Sequence, residues 1–127
     1  MGYNTKFEGV MTLTPPLTLA QKREINEFCE ARHGGNLEVY QGFPGFWCNW
    51  KADGQFLHWS GTEKSYDMDM WLQQLINRFF KPWDVKVSGK MLAQGEEHSD
   101  RWTMEVGEGQ MVTVKRTDFQ DLGITYR

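Results

Sequence analysis

The chain has little cysteine and no long apolar run. Two cysteines, Cys29 and Cys48, are too few for the disulfide framework of a small secreted domain. The favoured interpretation is a pair of small buried hydrophobic residues, and a disulfide is the alternative. No apolar run approaches the ~20 residues that a membrane-spanning helix needs. The start MGYNTKFEG also lacks the zones of a signal peptide. These absences predict a cytoplasmic protein without a membrane association.

Sequence motifs for catalysis and cofactor binding are missing as well. The chain has no G-x-G-x-x-G, no Walker motif and no C-x-x-C pair. His33, His58 and His98 are far apart in the sequence, and no serine or cysteine stands in a nucleophile signature. The sequence therefore gives an enzyme no support and implies no cofactor.

The charge of the chain is small and mixed in sign. Its 14 Lys and Arg residues are interspersed with 17 Asp and Glu residues, which gives a formal net charge of -3. Proteins that bind nucleic acid usually present a basic surface. Direct binding to DNA or RNA is therefore not expected, and the acidity is too weak for a DNA mimic.

Aromatic residues, by contrast, are abundant. The 127 residues include six Trp, eight Phe and four Tyr. A chain of this length buries roughly 65 to 70% of the surface that its unfolded form exposes. Residues 1–127 are therefore expected to form a single domain with one aromatic-rich core.

The first strand and the first helix follow from side-chain periodicity. Alternation predicts a strand over Tyr3–Leu13, which Pro15 and Pro16 end. A capping-box spacing between Thr18 and Gln21 then predicts a helix over about Leu19–Arg32. The apolar face of this helix is expected to contain Leu19, Ile25, Phe28 and Cys29.

The densest aromatic stretch, FWCNWKADGQFLHW, is predicted to be a hairpin. A two-residue turn at Asp53 and Gly54 would pair Trp50 with Leu57 and Cys48 with Trp59. One face then contains Phe46, Cys48, Trp50, Leu57 and Trp59 and serves as a wall of the core. The opposite face contains Trp47, Asn49, Lys51, Phe56, His58 and Ser60.

The second half of the chain is predicted to contain one long helix and three strands. Apolar residues recur at helical spacing from Met68 to Phe80, and Pro82 ends the helix. Alternation predicts strands over Val85–Ala93, Arg101–Val106 and Met111–Lys115. The remaining segments are interpreted as a loop at Asn36–Gly45, with a short strand at Leu37–Tyr40, and an irregular tail at Thr117–Arg127.

Two of the predicted strands share a spacing. FEGVMTL and VSGKMLA both place a glycine two residues after an apolar residue, at Gly9 and Gly89. If the spacing is meaningful, the two strands lie side by side, and the glycines allow close backbone approach. The predicted fold is α+β, with a mainly antiparallel sheet of about six strands and two helices on one face. Its order is β-α-β-β-α-β-β-β, similar to a split βαβ arrangement.

This arrangement leaves one face of the sheet open. Trp47, Lys51, Phe56 and His58 would lie there and form the aromatic centre and polar edge of a protein-binding surface. The alternative is that the carboxyl-terminal tail covers the face through Phe119, Leu122 and Ile124.

Two loops contain residues that could bind a ligand. The loop QGEEHSDRW places Glu96, His98 and Asp100 together, but it lacks the ligand spacing of a calcium loop. A solvated turn, in which Asp100 caps local amides or pairs with Arg101, is therefore favoured over a metal site. The segment WSGTEKSYD, before the long helix, could form a pocket for an anion or another small molecule. The residues expected to line it are Trp59, Glu63, Lys64 and Tyr66.

Several stretches together resemble a group of small proteins of bacteria and phages. They are GYNTKFEG, FWCNW, DGQFLHWSGTEKSYD, WLQQLINRFFKPW and SGKMLAQGEEHSDRWTMEV. Members of the group begin G-Y-x-T-x-F-x-G and have W-x-G-x-E-K-x-Y before an amphipathic helix that ends in K-P. The resemblance spans most of the chain and departs between Gly34 and Gly45. It implies a shared fold and no reaction type.

The favoured function is a non-catalytic binding protein that acts by contact with a protein partner. Small acidic chains of phage type often act as stoichiometric inhibitors of host machinery, including defence systems, as anti-CRISPR proteins do. The alternative is a small-molecule or nucleotide-binding protein, or an enzyme, with a pocket near the start of the second helix. Homodimerisation through the open sheet face is a third interpretation.

Overall fold

The computed structural model describes residues 3–33 and 43–117. These residues form eight strands and two α-helices in an α+β arrangement. The strands are β1 (Thr5–Glu8), β2 (Met11–Thr14), β3 (Trp50–Ala52), β4 (Phe56–Trp59), β5 (Lys86–Ser88), β6 (Lys90–Gly95), β7 (Arg101–Val106) and β8 (Val112–Thr117). The helices are α1 (Leu19–Glu30) and α2 (Met68–Leu75), and α2 continues as a π-helical segment over Ile76–Phe80. The predicted strand at Leu37–Tyr40 and the tail beyond Thr117 lie outside the described residues.

The strands form two antiparallel sheets of four strands each, which corrects the predicted single sheet of about six. Sheet A has the order β1-β6-β7-β8, and sheet B has the order β3-β4-β2-β5. Two predicted strands each break at a glycine, where φ is +101° for Gly9 and +130° for Gly89. Each broken strand therefore contributes its first half to one sheet and its second half to the other.

The two broken strands lie side by side, as their shared spacing predicts. β1 pairs with β6 in sheet A, and β2 pairs with β5 in sheet B. A Cβ atom on Gly89 would lie 3.0 Å from the carbonyl oxygen of Val10, and one on Gly9 would lie 3.2 Å from that of Lys90. Both glycines are thus needed for the close crossing of the two chains.

Both helices form where their sequence patterns predict them. The Gln21 N–H donates to the Thr18 hydroxyl at 3.1 Å, and the Thr18 N–H donates to the Gln21 side chain at 2.9 Å, which completes the capping box. Leu19 is nevertheless 71% exposed, so the predicted apolar face of α1 is wrong at its first residue. The apolar stripe of α2 packs against β3 of sheet B and β8 of sheet A and closes the core between the sheets.

Side-chain carboxamides protect three of the four sheet edges. Asn26 on α1 accepts from the N–H of Ala52 and donates to its carbonyl, both at 2.9 Å, so it replaces a neighbouring strand at the edge of β3. Gln110 bonds both backbone groups of Val87 in β5 in the same way, at 2.7 and 3.1 Å. Gln73 accepts from the N–H of Val112 in β8 at 2.8 Å. These contacts block edge-to-edge pairing, and Asn26 also fixes α1 against β3.

The hairpin of β3 and β4 has a different register from the predicted one. Trp50 pairs with Trp59 and Ala52 with Leu57, while the Asp53 N–H donates to the carbonyl of Phe56. The central turn residues are therefore Gly54 and Gln55. A glycine with φ of +94° at the first central position is typical of a type II′ turn, whereas the prediction assumed a type I′ turn one residue earlier.

Candidate functional site: an aromatic cleft

A cleft of about 800 Å³ opens between α1, residues 45–51 and residues 60–67. Asn26, Cys29 and Glu30 of α1 line one wall. Trp50 and Trp71, which are almost completely buried, reach its floor from β3 and α2. The volume lies within the range of ligand pockets, roughly 300 to 1,000 Å³. We call this feature the aromatic cleft.

Three large aromatic side chains of the cleft are exposed. Phe46 is 38% exposed, Trp47 is 49% exposed and Tyr66 is 52% exposed, and all three line the cleft. The guanidinium of Arg32 lies over the Phe46 ring, 4.7 Å from its centroid. The cleft thus has partly exposed aromatic side chains at its rim and buried tryptophans at its floor.

Hydrogen bonds hold residues 60–67 in place. The buried Ser65 hydroxyl donates to the carbonyl of Thr62 at 2.7 Å and accepts from the indole N–H of Trp59 at 2.9 Å. The Lys64 N–H donates to the side-chain oxygen of Asn4 at 3.1 Å. This wall of the cleft is therefore tied both to the hairpin and to the first residues of the chain.

Three residues that line the cleft have a left-handed backbone. Asn49, Lys64 and Asp67 have φ values of +56°, +58° and +55°, and they are three of the five such non-glycine residues in the described chain. Such residues persist only where the surrounding structure holds them, and they cluster at functional sites. The backbone of the cleft is thus held in a defined shape.

Charges of both signs surround the rings. Lys51 and Lys64 contribute positive charge, while Glu30, Glu63 and Asp67 contribute negative charge. Burial, with a smaller effect of the neighbouring Asp69, raises the pKa of the Asp67 carboxyl above its usual range. No histidine lines the cleft within the described residues.

The thiol that lines the cleft is not activated as a nucleophile. The thiol of Cys29 is the strongest potential nucleophile in the cleft, and its hydrogen bond with Cys48, together with burial, raises its pKa far above the usual range. A protonated thiol is a poor nucleophile. Within residues 3–33 and 43–117, no three His, Cys, Asp or Glu side chains could together hold a metal ion.

Two of the four predicted protein-binding residues line the aromatic cleft. Trp47 and Lys51 line the aromatic cleft, but Phe56 and His58 do not. Lys51 and His58 pair across the hairpin, and Phe56, 38% exposed, lies two residues before His58 in β4 and pairs with Thr12 of β2. The predicted cover by Phe119, Leu122 and Ile124 lies outside the described residues.

Three of the four residues expected for a small-molecule pocket do meet. Glu63, Lys64 and Tyr66 line the aromatic cleft, and all three are exposed. Trp59 lies elsewhere, because its ring packs against Phe7 at 5.6 Å and its indole is bonded to Ser65. Asp67, which also lines the cleft, occupies the N-cap position of α2 and makes no side-chain capping hydrogen bond.

The loop that contains Glu96, His98 and Asp100 is closed by protein contacts. Asp100 accepts from the Tyr3 hydroxyl at 2.7 Å and from Arg116 at 2.5 Å, so its partner is not the predicted Arg101. Glu96 accepts from the N–H of Asn4 at 2.5 Å. The Gln94 amide nitrogen lies within 3.4 Å of four carbonyl oxygens, those of Gly95, Glu97, His98 and Asp100. These contacts occupy the oxygens that a cation would need.

Sequence reasoning missed one ring of the cleft and one of its supports. Phe46 was assigned with Cys48 and Trp50 to the core face of the hairpin, but only those two are buried, and Phe46, which precedes β3 and lies outside the strand, is 38% exposed. The role of Asn26 was also missed. No local sequence pattern shows that an asparagine on a helix lies beside the edge of a strand that is distant in the sequence.

Comparison of the chain with protein-family models, with curated proteins and with solved structures gives no match. The resemblance to the bacterial and phage group therefore remains a prediction. Within the described residues, no helix is both long and apolar enough to cross a membrane.

Proposed function

We propose that the protein acts by binding another protein, a protruding segment of which enters the aromatic cleft. The observation that carries this proposal is the exposure of Phe46, Trp47 and Tyr66 around one cleft. Tryptophan and tyrosine provide much of the binding energy at protein interfaces, particularly where they meet a pocket that excludes water. Exposed rings at the rim and buried tryptophans at the floor supply both features.

The position of the charged side chains favours a protein over a small ligand. Lys51, Glu63 and Lys64 are exposed around the rings. An apolar centre with a charged and hydrated rim is the usual anatomy of a protein interface. Small-molecule pockets, in contrast, enclose most of the ligand surface.

The rigidity of the cleft supports the same function. Asn26 ties α1 to β3, and the hydrogen bonds of Ser65 tie residues 60–67 to the hairpin. A surface that is already ordered loses less conformational entropy when a partner binds. The left-handed Lys64 and Asp67 contribute to this order, because their backbone is held by its surroundings.

The test compares cleft variants with a matched control in the native cell. Tagged wild-type protein, the double variant Trp47→Ser/Tyr66→Ser and the single variant Phe56→Ser are purified, and co-purifying proteins are quantified by mass spectrometry. Phe56 is as exposed as Phe46 but lies outside the cleft. We expect the recovery of one specific partner to fall at least tenfold for the double variant and to stay unchanged for Phe56→Ser.

Two outcomes would contradict the proposal. Equal recovery of the partner by wild type and by the double variant would remove the cleft from the interface. Loss of the partner only with Phe56→Ser would instead place the interface on the outer face of sheet B, beside Lys51 and His58.

A small-molecule ligand is the second candidate, and the cleft volume of about 800 Å³ favours it. A ligand that binds only the folded state raises the melting temperature, by an amount that grows with the logarithm of the ratio of its concentration to its Kd. In a thermal-shift panel of anionic metabolites and nucleotides, Lys64→Ala should abolish any shift seen with wild type. A panel that leaves the melting temperature of wild type unchanged counts against this candidate.

Two further proposals from the sequence rest on narrower grounds. A role as an inhibitor of a host defence system rests on the resemblance to the phage group alone. Homodimerisation is tested by the molar mass in solution, measured by light scattering at several concentrations. A mass of one chain, 14.9 kDa, at all concentrations excludes it.

A further inference from the structure

The thiols of Cys29 and Cys48 touch beside the aromatic cleft. Their Sγ atoms are 3.2 Å apart, one on α1 and the other two residues before β3. Both side chains are buried, as predicted from the sequence, and both cysteines are free. Two thiols in contact could form a disulfide or bind a metal ion together.

The lack of further metal-binding side chains beside the two sulfurs, within the described residues, favours a disulfide over a metal site. A disulfide needs the sulfurs at about 2.05 Å, so they must approach each other by roughly 1.2 Å. A tetrahedral zinc ion with bonds of about 2.3 Å would hold two thiolates roughly 3.8 Å apart, farther than they lie here. The part of the chain that the structure describes also offers no group of three metal-binding side chains.

Only one of the two thiols faces the cleft. Cys29 is 5% exposed and lines the cleft, whereas Cys48 is fully buried. An oxidant can therefore reach Cys29 first, through the cleft. Because the pKa of Cys29 is raised by the hydrogen bond with Cys48 and by burial, its thiolate is scarce at neutral pH, and the reaction should accelerate as the pH rises.

We propose that Cys29 and Cys48 form a reversible intrachain disulfide by exchange with a small disulfide such as oxidised glutathione. The Cys29 thiolate attacks one glutathione sulfur and breaks the glutathione S–S bond, which releases the first glutathione thiol. The Cys48 thiolate then attacks Cys29 Sγ in the mixed disulfide and releases the second. Two protein thiols are oxidised, one glutathione disulfide is reduced, and the two protons that the protein thiols lose are taken up by the released glutathione thiolates.

The new bond would join two walls of the cleft. Cys29 belongs to the wall formed by α1, and Cys48 directly follows Trp47 in the wall formed by residues 45–51. A covalent link limits the relative motion of these walls at positions adjacent in sequence to Glu30 and to Trp47. The consequence for partner binding rests on the proposed function, but the disulfide itself does not.

Intact mass measures the reaction directly. Reduced wild-type protein is incubated with oxidised glutathione at pH 7 and pH 9, quenched with acid and weighed without reductant. We expect the loss of two hydrogen atoms, faster at pH 9, and full reversal by dithiothreitol. The oxidised form should melt about 10 °C higher than the reduced form. An unchanged mass at pH 9, a retained glutathione or a disulfide-linked dimer would each overturn the proposal.

Single variants test the order of events. Cys48→Ser should retain one glutathione, because no second thiol can release it, whereas Cys29→Ser should remain unmodified while folded. Uptake of glutathione by folded Cys29→Ser would overturn entry through Cys29. If either variant fails to fold, the wild-type mass still decides whether the disulfide forms.

Hydrogen exchange separates this proposal from the proposed function. Oxidation should slow the amide exchange of residues 45–51 at least several-fold more than it slows exchange in sheet A, which changes only through the higher global stability. This result requires no partner. If the disulfide forms and exchange slows, yet Trp47→Ser/Tyr66→Ser still binds the partner, only the proposed function fails. If the cleft variants lose the partner but no disulfide forms, only the redox proposal fails.

Discussion

The hairpin region contains two sets of aromatic residues with opposite surroundings. Trp50 is 2% exposed, packs in the core with Trp71 and donates its indole N–H to the carbonyl of Met68 at 2.9 Å. Trp47, only three residues earlier, is 49% exposed at the aromatic cleft. Both residues belong to one short stretch of sequence, so local composition cannot explain the difference.

The difference shows how a small domain can use the same type of residue for two purposes. Trp50 and Trp59 donate their indole N–H groups to acceptors within the protein, so these groups stabilise the fold. Within the described chain, no hydrogen bond engages the indole of Trp47 or the hydroxyl of Tyr66. Those groups remain free for a partner, which accords with the use of Trp and Tyr at interfaces.

Removal of a core ring should have the largest effect. Trp50→Ala should lower the free energy of unfolding by about 3 to 5 kcal/mol, since it leaves a cavity between the sheets and α2. Trp50→Phe keeps most of the volume but leaves the carbonyl of Met68 without its donor, at a cost of about 1 to 3 kcal/mol. Urea unfolding followed by circular dichroism measures both values. A loss below about 1 kcal/mol for Trp50→Ala would show that this ring is not part of a packed core.

The core forms around the crossing of the two broken strands. A comparison of Gly9 with Gly54 separates two costs of replacing a glycine with alanine: the unfavourable backbone conformation and the crowding at the crossing. Gly9 and Gly54 have nearly the same φ, +101° and +94°, but only Gly9 is crowded, by the carbonyl of Lys90. Each change to alanine should cost about 1 to 3 kcal/mol for the unfavourable backbone conformation. Gly9→Ala should lose more than Gly54→Ala in urea unfolding, and the excess measures the close approach. Equal losses would mean that β2 and β6 can move apart without penalty.

Tyr3 is an intermediate case, because its ring is exposed but its hydroxyl serves the fold. The hydroxyl donates to Asp100 and accepts from the N–H of Glu97 at 3.0 Å. The hydrogen bond from Tyr3, and then that from Arg116, lower the pKa of the Asp100 carboxyl. Its ionised form therefore stabilises the folded state above the unfolded pKa, about 3.9, and this stabilisation is lost as the pH falls through the folded value.

Asp100→Asn tests whether the ionised Asp100 carboxyl, which accepts the hydrogen bond from Tyr3, stabilises the fold. At pH 7 the substitution should lower the free energy of unfolding by about 1 kcal/mol, a modest value because the carboxyl is partly exposed and solvent screens it. The difference from wild type should begin to shrink near pH 4, where the Asp100 carboxyl of the unfolded chain takes up a proton, and should vanish as the pH falls through the lower pKa of the folded state. Urea unfolding across pH 3 to 7 measures it. A difference that stays constant with pH would show that the carboxylate charge contributes nothing.

Local patterns in the sequence predicted the elements of this fold better than their arrangement. The capping box of α1, the apolar stripe of α2 and the strand Arg101–Val106 depend on neighbours in sequence, and all three are confirmed. The division into two sheets was missed, because the break in the strand at Gly89 leaves the alternation of buried and exposed side chains intact on either side. The cleft was only partly predicted, since Asn26, Trp47 and Tyr66 meet through tertiary packing that no sequence spacing encodes.

Replacement of the exposed rings of the cleft should have the smallest effect on the free energy of unfolding, in contrast to replacement of Trp50. Trp47→Ser and Tyr66→Ser should each change the free energy of unfolding by less than about 0.5 kcal/mol, because each ring is about half exposed and removal leaves no sealed cavity. Urea unfolding of both variants, with Trp50→Ala beside them, measures the contrast. A loss above about 2 kcal/mol for Trp47→Ser would show that this ring supports the fold. The two sets of rings would then differ in exposure but not in purpose.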